Sequence, residues 1–374
     1  MKNLLREAMA LNDGVAYFDN AAVAPLTRAA REAIVRWASD IAGSGDALWP
    51  RWRTEVEKTR RTAAALINAE REELALTHST TEGINFVAEG YPWKSGDNVV
   101  IPVGEFPTNL YPWMLLKSQG VELRKIEMPA NQVDIQRLAE ACDERTRIVS
   151  CSWVGYSHGY RIDVKALADL VHQRGALLLL DAIQGLGVFP LDVKDANVDF
   201  LSADGHKWML GPEGAGVFYL KREHLDLLRP RAIGWNSVAT AGEFGHDCMD
   251  LRNTAGRYEG GTYNMCGLAG FGSSLQVFAD IGVDRISSDL KTSSDAVVTA
   301  LRELGAVVHS VRDQDHWSGI ISFDLPDKDP LMVKEAASKK DVYFNSRGGH
   351  IRVSPHAFNT PNDIDKLVEV LKEA

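Results

Sequence analysis

Cysteine is scarce in this chain. Four residues in 374 (Cys142, Cys151, Cys248 and Cys266) are widely spaced, with no CxxC pair among them. That excludes a disulfide framework and the common zinc-ligand spacings, so no metal is expected, and free thiols in a reducing, cytoplasmic setting are. Positive charge is in deficit as well. The 41 Lys and Arg against 51 Asp and Glu leave −10, which argues against general nucleic-acid binding but not against a local basic pocket for a phosphate or carboxylate. Long apolar runs are missing too: no segment reaches the roughly 18 residues of a membrane span. The first residues, Met1-Lys2-Asn3-Leu4-Leu5-Arg6-Glu7, lack the apolar stretch of a signal peptide. Repeats, low-complexity tracts and long linkers are absent. A small-molecule partner is expected, rather than nucleic acid or membrane.

The chain is long enough for a large α/β domain with an appendage, and its 45% hydrophobic and 25% charged residues are ordinary for a globular protein. Helical patterns (27–41, 52–68, 81–89, 163–174, 267–281) alternate with apolar runs (73–77, 98–102, 147–154, 176–181, 200–202, 216–220). Strands that are apolar on both faces and separated by helices predict a three-layer α/β fold around a mostly parallel sheet. After about Gly261 the pattern changes to a shorter α+β unit, with strands near 306–311 and 319–323. Residues 15–262 are therefore expected to form the large domain, and 1–14 with 263–374 the small one.

Ligands of such sheets gather at the carboxyl ends of strands. Asp181 ends the run Ala176-Leu177-Leu178-Leu179-Leu180, and Lys207 follows the next run in Ser202-Ala203-Asp204-Gly205-His206-Lys207-Trp208. A carboxylate and a lysine on neighbouring strand ends suit pyridoxal phosphate. The amine forms a Schiff base with the aldehyde, and the acid keeps the ring nitrogen protonated. Asp181 read alone could equally cap its turn. The loop Gly211-Pro212-Glu213-Gly214-Ala215-Gly216 would let backbone approach a flat ligand. Ser79-Thr80-Thr81-Glu82, between a strand and a helix, is a capping box, and its amides and hydroxyls also make an anion site. Arg352 stands in an apolar strand, either paired structurally or kept to grip a carboxylate. Arg347, in the glycine-rich turn before it, reads as a solvated surface residue. A rival reading comes from Gly155-Tyr156-Ser157-His158-Gly159, which matches G-x-S-x-G with Asp181 and His206 following in hydrolase order. An elbow needs its helix to start at the serine, and here three residues precede an N-cap at Asp163.

Together these motifs resemble the class V aminotransferase superfamily of fold-type I pyridoxal phosphate enzymes, a group that includes cysteine desulfurases and isopenicillin N epimerase-like proteins. The resemblance runs from Tyr17-Phe18-Asp19-Asn20-Ala21-Ala22 to Asn359-Thr360-Pro361-Asn362-Asp363-Ile364-Asp365. It rests on Thr80-Thr81-Glu82, Asp181-Ala182-Ile183-Gln184, Gly205-His206-Lys207, Arg257-Tyr258-Glu259-Gly260-Gly261-Thr262 and Arg352-Val353-Ser354. It implies that Lys207 carries the cofactor, Asp181 pairs with its pyridinium and Gln184 meets the ring oxygen. His206, Thr80 and Thr81 would hold the phosphate, Phe106 would stack on the ring, and Arg352 would bind the substrate carboxylate. Thr262 would reach a partner's site, so a homodimer is implied.

There are departures. Asp204 stands where many relatives have a phosphate-binding serine. The segment from Lys339 to His350 holds no cysteine, whereas desulfurases carry their persulfide on a thiol in this region. The function implied is therefore chemistry on a small α-amino acid through a Schiff base and a Cα carbanion: transamination, β-elimination of a C–S bond or epimerisation. A serine hydrolase and a non-catalytic protein that kept this fold are the readings of other classes.

Overall fold

The run Leu177–Leu180 has no polar face, and the structure gives it none. Leu178 and Leu180 pack into one hydrophobic cluster and Leu179 into another, on opposite sides of the strand. Alternate side chains of a strand point to opposite faces, so such a strand belongs in the middle of a covered sheet. The computed structural model, which describes residues 3–245, 247 and 249–373, places it there; Cys248 lies outside the described residues.

A two-residue strand, β1 (Ala16–Tyr17), comes first. It is followed by β2 (Leu74–Thr77), β3 (Asn98–Pro102), β4 (Glu122–Ile126), β5 (Thr146–Ser152), β6 (Leu177–Asp181), β7 (Phe200–Asp204) and β8 (Gly216–Leu220). These seven form one sheet in the order β2-β8-β7-β6-β5-β3-β4. β8 alone runs against its neighbours, and the other pairings are parallel. One face is covered by the helices Trp49–Leu66, Val164–Gln173 and Met265–Ile281, and the other by Thr80–Gly90 and Tyr111–Leu115. The expected three layers are present. Polar residues set the helix starts: Thr27, Asp163 and Asn264 each accept a backbone N–H from the first turn of their helix.

The second unit has its own core. β9 (Val307–Val308), β10 (Ile321–Asp324), β11 (Val342–Tyr343), β12 (Asn345–Arg347) and β13 (His350–Val353) complete the strands. Four of them make an antiparallel sheet in the order β12-β13-β10-β9, while β11 pairs with β1. Packing crosses the expected boundary in two places. The helix Met265–Ile281 packs its Leu268, Phe271 and Phe278 into the large core, and so does Leu5 near the N-terminus, because both present apolar stripes to the large sheet's helices. Ala16 and Phe18, by contrast, are buried in the small core. The helix Val283–Glu303 joins the two, with Ile286 and Leu290 in the large core and Val297 and Leu301 in the small one.

Glu259 explains part of the 257–262 motif structurally. Its buried carboxylate is paired with Arg60, 2.8 Å from one guanidinium nitrogen, and it accepts the Leu76 N–H at 2.6 Å and the Tyr263 hydroxyl at 2.8 Å. A buried carboxylate is tolerated only when its lone pairs are met this way, and the result fixes the Gly260–Thr262 segment to β2.

Candidate active site

The carboxyl ends of β5, β6 and β7 lie side by side, and they carry Ser152, Asp181 and Asp204. All three line a cavity of about 270 Å³, together with Lys207 from the turn after β7. Asp181 is buried, with one carboxylate oxygen accepting the Ile183 N–H at 3.1 Å. Loss of water pushes its carboxyl up to about 6, and that hydrogen bond and the Lys207 charge hold it from rising further. Burial likewise pulls the Lys207 amine down to about 8, although Asp181 opposes the shift. About a tenth of such an amine is neutral one pH unit below its pKa. A buried lysine with an accessible free base, beside a carboxylate, is a nucleophile and proton carrier in waiting.

The phosphate end of the expected site is built on the helix Thr80–Gly90. Ser79 caps it by accepting the Glu82 N–H at 3.1 Å. The capping box is shifted by one residue, since Glu82 reaches back to the His78 N–H at 2.6 Å rather than to Ser79. The helix lies directly on β7 at Gly83, where a Cβ would come within 2.3 Å of Ser202 Oγ. That contact sets the helix N-terminus at the strand end, so that Thr80 Oγ1 accepts the Asp204 N–H at 2.9 Å. Ser79, Thr80 and Thr81 all face the cavity. Gly205 is needed for a similar reason, because a Cβ there would meet the Phe271 ring at 2.6 Å. Asp204 Oδ1 accepts the Gly205 N–H at 2.7 Å, while Oδ2 stands 3.1 Å from His206 Nδ1 but off the line of a hydrogen bond. The His206 nitrogen is buried without a protein hydrogen bond. An orphaned buried donor on the wall of an anion site is a place for a ligand atom.

The opposite wall comes from the small unit. Arg352 is buried; one guanidinium nitrogen donates to the Tyr156 carbonyl at 2.8 Å and another to Asp19 at 3.1 Å. Its Nε has no partner and remains for a ligand. Arg347 also lines the cavity, contrary to the expectation of a solvated residue, because the β12–β13 hairpin turns its side chain inward beside Arg352. Phe106 is part-exposed on the same cavity, with the Lys207 amine 5.7 Å from its ring centre. Gln184 donates to the Ala21 carbonyl at 3.1 Å and accepts from the Trp208 indole at 2.7 Å, leaving one amide hydrogen for a ligand. Replacing Arg352 with alanine is expected to raise KM for an amino-acid substrate roughly ten- to hundredfold, the worth of a charged hydrogen-bonded pair. Cofactor content should stay unchanged. Steady-state kinetics alongside the visible spectrum would check both.

Three parts of the site were not evident from sequence. Asp19, which holds Arg352, is far from it along the chain. Ser152 lies one strand from Asp181. Glu105 accepts both the backbone N–H, at 2.7 Å, and the hydroxyl of Ser152. Burial raises the Glu105 carboxyl to about 7, with the nearby Asp181 adding to the effect. The serine-hydrolase elbow is overturned. β5 ends at Ser152, no helix begins at Ser157, and the next one starts at Val164. The Ser157 hydroxyl meets its neighbour His158 at 2.8 Å and faces a different cavity from Asp181 and Lys207. Thr262 is the one expected cofactor residue outside the Lys207 cavity; it lines a separate one of about 310 Å³.

The donor set suits pyridoxal phosphate: hydroxyls and a helix N-terminus for the phosphate, a buried acid for the ring nitrogen, and a lysine of lowered pKa for the aldehyde. Comparison with known proteins agrees. A probable cysteine desulfurase of Methanothermobacter thermautotrophicus is 29% identical over 394 residues, covering 100% of this chain and 97% of that protein. The crystal structure of the Escherichia coli cysteine desulfurase CsdA superposes with a TM-score of 0.89 at 26% identity, covering 100% of this chain and 98% of that one. The cystine C–S lyase C-DES, in complex with cysteine persulfide, shares the fold at a TM-score of 0.90 and 22% identity, covering 96% and 97% of the two chains. The model of the family described as aminotransferase class-V matches residues 16–367. A match of that extent decides the matter: the chain belongs to the class-V aminotransferase family and is a pyridoxal phosphate-dependent enzyme.

Proposed function

We propose that this enzyme is a lyase that cleaves the C–S bond of a small sulfur-bearing α-amino acid by β-elimination, releasing the sulfur group directly from the cavity. The relatives named cysteine desulfurases supply the substrate class. The observation that carries the reaction is the β12–β13 hairpin. Its strands are joined by Gly348 and Gly349 alone, so the wall beside Arg352 is a tight turn with no thiol. Among the described residues, Cys142 and Cys151 are buried elsewhere and Cys266 lies outside the cavity. Burial also drives the Cys151 thiol well above its usual range. Among the described residues, a relay that passes sulfur to a cysteine thus has no acceptor in the site.

The cofactor supplies an electrophilic aldehyde and a ring that draws electron density from Cα. Thr80, Thr81 and His206 would hold its phosphate, Asp181 would pair with its ring nitrogen, and Phe106 and Gln184 would flank the ring. Arg352, steadied by Asp19 and the Tyr156 carbonyl, grips the substrate carboxylate and so aims the Cα–H bond. Lys207, with its amine free, would take the Cα proton. Arg347, which lines the cavity with Tyr156, would offer a cation to an anionic sulfur leaving group.

The functional unit we propose is a homodimer. Thr262 sits on a segment pinned by Glu259 and outside its own chain's Lys207 cavity; Gly234 lines that second cavity with it, flanked by the exposed Ile233 and Trp235. A second copy docking there would bring Thr262 to the partner's phosphate.

Product analysis tests the reaction. With cystine, the expected products are pyruvate, ammonia and a persulfide, formed at the same rate after thiol alkylation. Alanine as the carbon product, with activity lost on alkylation, would show a desulfurase relay instead. A cofactor converted once to its amine form, awaiting a keto acid, would show a transaminase.

A further inference from the structure

Away from the cleft, the small sheet brings together three residues distant in sequence. His309 follows β9 and lies opposite Ser322, diagonal to Asp324 at the end of β10, while His350 opens β13 beside Asp324, one step beyond the pairing of Phe323 with Ile351. His309 Nε2 lies 2.7 Å from Asp324 Oδ2, and His350 Nδ1 lies 2.8 Å from Asp324 Oδ1. The two imidazoles stand 4.4 Å apart. One ligand atom from each residue falls within 4.8 Å of the other two. The side chains keep 30, 41 and 29% of their surface in water, in the order His309, Asp324, His350, so an ion has a way in and water can complete its shell.

We propose that this triad is a binding site for one divalent transition-metal ion of zinc type. Two imidazoles and one carboxylate form a mixed nitrogen and oxygen set that favours zinc over magnesium or calcium, which take oxygen shells. Three protein ligands with a solvent-facing fourth position give the open tetrahedral geometry of such ions. The ion takes the place of the protons that now join the rings to the carboxylate. Each imidazole presents its lone pair inward, and its proton moves to the other ring nitrogen, or to solvent if the ring was charged. At bond lengths of about 2.0–2.2 Å the ligand atoms would separate to roughly 3.3 Å, an opening of about half an ångström.

Rigid strands suit this role, since all three ligands come from one sheet. They also give the site a consequence. His350 pairs with Arg347 across the hairpin turn and lies two residues before Arg352, on the same face of β13. An ion held there fixes the hairpin that delivers both arginines to the cavity.

The experiment uses the cofactor-loaded protein, stripped with a chelator and titrated with Zn²⁺ against a chromophoric chelator. Co²⁺ uptake is followed in parallel by visible absorption. One equivalent should bind, with the cobalt spectrum of a tetrahedral site and a rise in Tm on adding zinc. His309→Ala and Asp324→Ala each remove a solvent-facing ligand and should weaken binding at least tenfold with the circular dichroism spectrum unchanged. No saturable uptake by the native protein would mean that protons alone hold the triad, and would overturn the proposal. So would uptake of native strength in the double variant H309A/D324A.

Discussion

Lys207→Ala is expected to lower turnover by at least about 10³-fold while leaving the fold intact, because one side chain both anchors the cofactor and moves the Cα proton. The amine sits in a cavity whose low polarity brings its pKa to about 8, so a usable fraction is neutral at physiological pH. Arginine at this position would keep the charge but could neither form the imine nor release a proton. Removing the side chain takes away no core packing, since the stem of Lys207 lines a cavity rather than filling one. Three measurements separate this role from a structural one. Borohydride should attach the cofactor to the native chain and not to the variant, as read by intact mass. The variant should still bind the cofactor without covalent linkage. Added small amines should restore part of the turnover. Covalent attachment persisting in the variant would move the chemistry to another residue.

Asp181→Ala should cost about 10²–10³-fold in turnover and weaken cofactor binding, with KM little changed. The carboxylate ends β6 and is buried, with little of its surface in water. An ionised acid there stabilises a protonated ring nitrogen, and a neutral residue cannot. Asp181→Asn, nearly the same size, separates charge from packing and should lose almost as much. The sign with pH follows from the raised carboxyl. In the empty site the Asp181 carboxyl takes a proton below about 6, whereas a pyridinium beside it would hold it ionised to lower pH, so cofactor affinity should fall as pH drops below about 6. Dialysis of the native enzyme across this range, followed by absorbance, reads the decline. The asparagine variant should show no such dependence, and a native profile in that variant would place the controlling charge elsewhere.

The parts of the site legible in sequence are those that sit beside their own signal. Asp181 ends an apolar run, Lys207 follows one, and Ser79-Thr80-Thr81 opens a helix, so strand-end position alone predicts that they meet. β3 and β8 match the expected runs because both faces of each are apolar. β4 was invisible for the opposite reason. It lies at the edge of the sheet, and Glu122-Leu123-Arg124-Lys125-Ile126 carries the charges that keep an edge from pairing with another chain. The helix Met265–Ile281 was read correctly as a helix, but its packing against the large sheet's helices was not legible, since periodicity shows that a face is apolar and not which core receives it. Asp19, Glu105 and Arg347 escaped because each acts through a contact made across the fold. Glu105 looks like a loop acid until Ser152 is seen to donate to it twice.

The pairing of Asp19 with Arg352 spans 333 residues of chain. On the ribosome the large sheet could close around Lys207 and Asp181 long before β13 emerges, yet the carboxylate grip would have neither its guanidinium nor the strand that carries it. A nascent chain could thus acquire colour from its cofactor while still unable to seat a substrate. Competence arrives last, when the end of translation brings the final strand back to the beginning.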